Sequence, residues 1–207
     1  MTPIGRIHHI TAIASAPDRN LAFYEGALGL RMIKQTVNFD DPGVHHLYYG
    51  DEIGSPGTIL TFFPYVGARA GRHGTGQAEE IAFAIPSGSL GFWQERLTGL
   101  GVAVEGPAER FGERLISFKD HDGLLLELVE DEAAAGLPGW AAEGVPAEHA
   151  IRGFRGITLW VGDPTGSARV LTEVLGYEPG PAEGARQRFV HPGEGLGRIV
   201  DLRATKG

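Results

Sequence analysis

The sequence predicts an α+β fold built from repeated β-α-β-β-β modules. Three stretches share one order: a short apolar strand, a helix start containing Pro, Ser or Asp, an amphipathic helix and a Leu-Gly or similar stop. They read "IHHITAIASAPDRNLAFYEGALGLRMI", "AEEIAFAIPSGSLGFWQERLTGLGVAV" and "FRGITLWVGDPTGSARVLTEVLGYEPG". Strand-like segments follow each helix, and helices that alternate with antiparallel meanders are typical of the α+β class.

The helix boundaries follow from local capping signals. Ser15 or Asp18 is predicted to cap the first helix, with Pro17 in its first turn and Gly29 after its end. The other two helices have comparable start and stop residues, namely Ser87 or Ser89 with Gly99, and Asp163 with Gly176.

The strand segments set the module boundaries. After its helix, the first module has "RMIKQTVNF", "VHHLYYGD" and "GTILTFFPY", and the second has "VAVEGPAERFG", "RLISFKD" and "GLLLELVED". The third shows two clear strands, "QRFVHPG" and "GRIVDLRA". We therefore predict modules at 1–66, 67–132 and 151–207, with an Ala-, Gly- and Pro-rich linker at 133–150.

Composition limits the function classes. The chain has 207 residues, of which 42% are hydrophobic, and a formal net charge of -8. An acidic chain repels phosphate backbones, so nucleic acid is not an expected partner. Cysteine is absent, which excludes thiolate metal sites. No signal peptide or membrane-length apolar run is present, so we expect no membrane partner and a cytoplasmic location.

Two adjacent histidines interrupt the first apolar strand. Successive strand residues point to opposite faces, so His8 and His9 cannot both face one site directly. One of them is expected to face a core or a cavity, where an imidazole is able to bind a metal.

The motifs "HHIT", "FYEGALGLRM" and "DHDGLLLELVED" resemble those of the vicinal oxygen chelate superfamily, which includes glyoxalases, bleomycin resistance proteins and extradiol dioxygenases. More narrowly, "VNFDDPGVHHLYYGD" followed by "GSPGTILTFFP" is similar to ring-cleaving dioxygenases that act on hydroquinones. The resemblance covers nearly the whole chain and is most specific in the first module.

The resemblance implies curved mixed sheets that pair into a cup with a metal at its floor. The family ligands are two histidines and one glutamate, an arrangement suited to non-haem Fe(II). It implies that His9 is a metal ligand and that His8 and Thr11 line or brace the catalytic site. Fe(II) is the expected cofactor, with Mn(II) or Zn(II) as alternatives, and the expected substrates are a small dihydroxylated aromatic and dioxygen.

The chain departs from the family by having three modules instead of four. In the family, the second histidine and the glutamate come from the fourth module, so the chain is expected to be either a truncated form or a naturally short one. Glu127 is the candidate replacement ligand, and His9, Glu80 and Glu127 together would suit a glyoxalase-like isomerase. The alternative for Glu127 is a salt bridge to an arginine, and Glu79-Glu80 has the pattern of a solvated pair.

The family pairing joins modules two and three, which leaves module one unpartnered. Its concave face, interpreted as apolar from "ILTFF" and "HLYYG", is expected to pair with a second copy in a homodimer or with another partner. A rival function is metal-free binding of small aromatics. Its candidate side chains are Tyr48, Tyr49, Phe62, Phe63 and Trp93.

The remaining histidines receive structural interpretations. His45 and His46 lie on opposite faces of a strand and are expected to be structural, with pocket lining by one of them as the alternative. His121 and His191 are expected to lie in turns. The glycine-rich stretch 67–77 has no following helix to complete a phosphate site, so a connector is favoured.

Overall fold

The computed structural model describes residues 5–206, which form two sheets and three helices. The strands are β1 His9–Ala14, β2 Arg31–Val37, β3 His45–Gly50, β4 Ile59–Pro64, β5 Gln77–Ile85, β6 Val104–Arg110, β7 Glu113–Lys119, β8 Leu125–Glu130, β9 Gly153–Val161, β10 Glu178–Glu183, β11 Arg186–Val190 and β12 Ile199–Ala204. The helices are α1 Pro17–Leu21, α2 Leu90–Gly99 and α3 Thr165–Arg169. π-helical turns extend α1 over Ala22–Ala27 and α3 over Val170–Val174, and a 3₁₀ turn spans Glu132–Gly136.

The first module forms a separate four-stranded sheet with the order β1-β4-β3-β2. β1 runs parallel to β4, and the other neighbours are antiparallel. Pro17 opens α1 as expected, but the cap position is Ala16 and no side chain caps the helix, so the predicted caps Ser15 and Asp18 were wrong. Ser15 instead donates from its backbone nitrogen to Asp122, at 2.7 Å, and binds this carboxylate through its hydroxyl as well.

The second and third modules share an eight-stranded sheet with the order β10-β11-β12-β9-β5-β8-β7-β6. The junction is the antiparallel pair β5 and β9, the first strands of the two modules. The α+β fold of curved mixed sheets predicted from the sequence is confirmed. The third module has three strands after its helix, as the β-α-β-β-β pattern predicts. β10 was not among its two clear strands in the sequence, because "EPGPAE" lies exposed at the sheet edge without apolar alternation.

One core joins the first two modules. Tyr24, Tyr49, Phe62 and Trp93 are fully buried in it, together with Phe154 of β9. Residues 133–150 pack against this core through Val145 and Ala150, which are 1% and 3% exposed. The first sheet is therefore held rigidly by one of its faces. Within residues 5–206, no helix has the length and apolar character needed to cross a membrane.

Candidate functional site

The first sheet has one buried face and one open face. Leu47, Tyr49, Leu60 and Phe62 are at most 2% exposed and face the core. By alternation, the residues between them face the other way. We call this surface the open face and define it by His9, Thr11, Ile13, His46, Tyr48, Thr61 and Phe63.

The two adjacent histidines meet at the edge of the open face. Nδ1 of His8 lies 3.1 Å from Nδ1 of His9, and the two rings are nearly perpendicular. One of the two nitrogens must carry the proton of this hydrogen bond. The contact orients the exposed His9 ring and leaves its Nε2 available to an incoming ligand.

A chain of hydrogen bonds crosses the open face. The Tyr48 hydroxyl lies 2.8 Å from His46 Nδ1, and His46 Nε2 lies 3.0 Å from Thr61 Oγ1. Thr61 in turn donates to Thr11 Oγ1 at 3.0 Å. The open face is therefore more polar than the "ILTFF" and "HLYYG" patterns indicated, and the interpretation of an apolar face was wrong.

His46 is fixed and neutral within this chain. Its ring packs against the rings of Tyr48 and Phe63, with centroid distances of 4.1 and 4.0 Å. Burial lowers the pKa of His46, and the charges of Lys34 and His9 lower it further. The sequence favoured a structural role for His46 and left pocket lining as the alternative for one of His45 and His46, because the register that brings His46 to Thr61 is not visible in one strand.

The described residues do not compose a metal site by themselves. No group of three His, Asp or Glu side chains within residues 5–206 is arranged to hold a metal ion. His9 lies in the four-stranded sheet, whereas Glu80 and Glu127 lie in β5 and β8 of the other sheet. Within residues 5–206, His9 is therefore the candidate ligand on the open face, and these two carboxylates do not join it in one site.

Glu127 and Glu80 are occupied by arginines. Arg110 forms a bidentate pair with Glu127, with one Nη1–Oε1 distance of 3.0 Å. Glu80 accepts from Trp160 Nε1 at 2.8 Å, from Arg203 at 2.9 Å and from Arg186. Glu80 is only 4% exposed, so its interpretation as a solvated residue was wrong.

These pairs belong to a larger charged cluster on the inner face of the eight-stranded sheet. Arg188 contacts Asp201 and Glu113, and Arg155 pairs with Glu113 and Asp131. The space left among these groups is about 10 Å³, on the order of one water molecule. The paired cup of modules two and three is therefore filled by side chains and has no room for an aromatic substrate.

The Glu80 pairs predict a pH-dependent stability. Burial raises the pKa of the Glu80 carboxyl, but the charge of Arg186 and the hydrogen bonds from Trp160, Arg186 and Arg203 outweigh it, so the pKa lies below 4.5. The stabilisation is present above the unfolded-state pKa and is lost as the pH falls through the folded-state value. We expect Glu80→Gln to lower the melting temperature more at about pH 7 than at about pH 3.5.

Circular dichroism melts across this range would measure the effect. Glu173→Gln is the matched control, because Glu173 pairs with Arg169 in the open, with 58% and 71% of their side chains exposed. It should cost little at either pH. A deficit of Glu80→Gln that does not depend on pH would contradict the ionic role of Glu80.

The aromatic residues proposed for a metal-free binding cleft are mostly in the core. Tyr49, Phe62 and Trp93 are 0% exposed, so they cannot line a cleft. Tyr48 and Phe63 do lie on the open face, next to His46. Of the five proposed aromatic residues, Tyr48 and Phe63 are therefore the two that contribute to the open face.

The fold and this site define a family. A model of the Glyoxalase/Bleomycin resistance protein/Dioxygenase superfamily matches residues 6–128, and the chain belongs to this superfamily. The match spans the first module, with its open face, and nearly all of the second.

Individual relatives agree with this assignment. The chain is 45% identical over 199 residues to the "Putative ring-cleaving dioxygenase MhqO" of Bacillus subtilis, covering 96% of this chain and 63% of that protein. It is 31% identical to a "Chlorohydroquinone/hydroquinone 1,2-dioxygenase" of Sphingobium indicum, covering 95% and 62%. The crystal structure of a "putative dioxygenase" from Bacillus subtilis superposes with a TM-score of 0.90 at 44% identity, covering 98% and 64%. The chain thus spans less than two thirds of the length of these relatives.

Proposed function

We propose that this chain belongs to a metal-dependent ring-cleaving dioxygenase that acts on dihydroxylated aromatics of the hydroquinone type. The observation that carries the proposal is the position of His9 and Thr11, side by side on an accessible sheet face that also presents a hydrogen-bonded chain and two aromatic rings. The names of the relatives supply the reaction class.

Four residues of the open face have a role in this proposal, and His8 supports one of them. His9 supplies one metal ligand through Nε2, and His8 orients its ring. Thr11 presents a hydroxyl to a ring oxygen, and Phe63 and Tyr48 offer faces on which an aromatic ring stacks. Fe(II), with Mn(II) or Zn(II) as alternatives, would when bound bring the ring and dioxygen together.

The missing ligands come from whatever covers the open face. We favour a second copy of this chain, since a two-fold axis would place His9 opposite its own symmetry mate. A separate partner that completes the first module is the other arrangement. Ile13, an apolar residue of the open face that is 60% exposed, supports a covered surface.

Removing the His9 ring tests the metal assignment. Because His9 is exposed and contributes no core packing, we expect His9→Ala to fold normally but to lose about tenfold or more of its bound metal. Metal per chain is measured by mass spectrometry after purification from Fe(II)- and Mn(II)-supplemented cultures, and light scattering on the same samples reports whether two copies associate.

His45→Ala is the matched control for this experiment. His45 is also exposed on the first sheet, but alternation places it on the opposite side from His46, where it contacts Gln35. Its variant should retain metal and consume oxygen with hydroquinone as the unmodified chain does. Equal metal content in the His9→Ala and unmodified proteins would remove His9 from the site, and metal-loaded protein that consumes no oxygen with any dihydroxylated ring would refute the dioxygenase.

A further inference from the structure

The hydrogen bonds of the open face are compatible with one direction of proton donation. When Thr61 donates its proton to Thr11, its oxygen accepts from His46 Nε2–H. A neutral imidazole that is protonated at Nε2 has its lone pair at Nδ1, which therefore accepts from the Tyr48 hydroxyl. The Thr11 hydroxyl, the last member, is exposed and free to donate to a ligand.

From this geometry we propose that Tyr48, His46, Thr61 and Thr11 form a proton path between solvent and a ring oxygen bound at the open face. The inference rests on the proposed function, because it takes a hydroxylated ring as the ligand. Nothing in the dioxygenase proposal itself requires His46 or the Tyr48 hydroxyl to take part, since that proposal uses only the Tyr48 ring.

Each transfer along the path conserves protons. Thr11 gives its hydroxyl proton to an oxyanion of the ring and receives the proton of Thr61. Thr61 is reprotonated from His46 Nε2, while Nδ1 takes the proton of Tyr48, and Tyr48 is reprotonated by water. These transfers leave every donor oriented outward, so the same groups can then pass a proton of a ring hydroxyl to solvent in the reverse order. Another inward transfer first requires the hydroxyl groups to rotate and His46 to return to its Nε2–H tautomer.

The surrounding residues hold the groups of this path at hydrogen-bonding distances from one another. Thr61 is 1% exposed, so the central link is protected from competing water. The His46 ring is held by Tyr48 and Phe63, and Lys34 Nζ lies 5.4 Å from the centre of the Tyr48 ring. Rigid donor–acceptor distances of 2.8 to 3.0 Å at all three links are what proton transfer requires.

Two variants interrupt the path without emptying the site. Tyr48→Phe removes the outer hydroxyl and keeps the ring. His46→Gln keeps a donor toward Thr61, but an amide does not exchange protons between its two ends. Tyr49→Phe is the matched control, because the Tyr49 hydroxyl is buried on the core side and has no hydrogen-bond partner among residues 5–206.

The experiment compares metal-loaded proteins in two assays. With hydroquinone, we expect kcat to fall about 10- to 100-fold in Tyr48→Phe and His46→Gln, with KM changed less than about twofold. With 4-nitrocatechol as the probe, stopped-flow recording with a pH indicator should show proton exchange slowed by about the same factor at unchanged affinity. Added imidazole should restore part of the rate in His46→Gly.

The outcomes separate this inference from the dioxygenase proposal. If the unmodified protein turns over while Tyr48→Phe and His46→Gln match Tyr49→Phe in both assays, the path is wrong and the enzyme assignment stands. If kcat and probe affinity fall together and imidazole restores nothing, the two residues are structural and the path is also wrong. If the unmodified protein neither consumes oxygen nor binds the probe, both proposals fail.

Discussion

Replacing Arg188 with methionine is expected to lower the free energy of unfolding by about 3–5 kcal/mol. Arg188 is 6% exposed and binds Asp201 through two bonds of 2.9 and 3.1 Å. It also donates to Glu113 at 2.7 Å and lies 4.2 Å from the centre of the Phe111 ring. Methionine keeps much of the volume but leaves the Asp201 carboxylate, which is 3% exposed, without its partner. Urea unfolding followed by circular dichroism measures the loss.

Two further variants distinguish this mechanism from a general loss of charge. Arg169→Met removes an exposed partner of Glu173 on α3 and should cost at most about 0.5 kcal/mol. The double variant Arg188→Met with Asp201→Leu removes both buried charges and should recover most of the lost stability. A single Arg188 variant that loses less than about 1 kcal/mol would show that Asp201 finds another partner.

The module pattern could be predicted because it is encoded locally. Apolar periodicity, Pro17 and the stop glycines mark each helix within a few residues, and the strands after the first two helices carry apolar runs. The features that were missed have different causes. Ser15 binds Asp122, which is distant in the chain, instead of capping α1. β10 pairs with the next strand, β11, but its sequence has no apolar alternation that would mark it as a strand.

The candidate site also combines features that the local sequence predicts with features that it does not. Alternation along β1 places His9 and Thr11 on the open face, and that much can be read from the sequence. The role of His46 depends on the register of β3 against β4, and the burial of Glu80 depends on Arg186 and Arg203, which follow it by more than a hundred residues. Single-sequence patterns do not contain such pairings.

Strand registers show how the modules have diverged at one position. In the three modules, the first strand runs parallel to the last, and the paired positions are Thr11 with Thr61, Ala82 with Glu127, and Thr158 with Asp201. Two residues before the first member of each pair stand His9, Glu80 and Gly156. The position that carries an imidazole in module one therefore carries a paired carboxylate in module two and no side chain in module three.

Placing a histidine at this position in the third module is expected to disrupt the pairing of the sheet rather than create a metal ligand. A Cβ atom at Gly156 would lie 2.7 Å from the carbonyl oxygen of Ile199 and 2.9 Å from its Cβ, and β9 and β12 cannot separate without losing their ladder. We expect Gly156→His to lower the free energy of unfolding by about 3 kcal/mol or more, and Gly156→Ala by about 1–3 kcal/mol.

Gly162→Ala is the control for these two variants, since a Cβ atom there meets nothing within 4 Å and should change stability by at most about 0.5 kcal/mol. Chemical unfolding of the three proteins gives the comparison. If Gly156→His is destabilised as expected, the close packing of β9 against β12 explains why the third module has no imidazole at this position. The imidazole would then be confined to the first sheet, whose strand β1 lies at an accessible edge. A Gly156→His protein as stable as the unmodified chain would refute that explanation. The absence of a metal ligand from the shared sheet would then be explained by the arginine pairs alone.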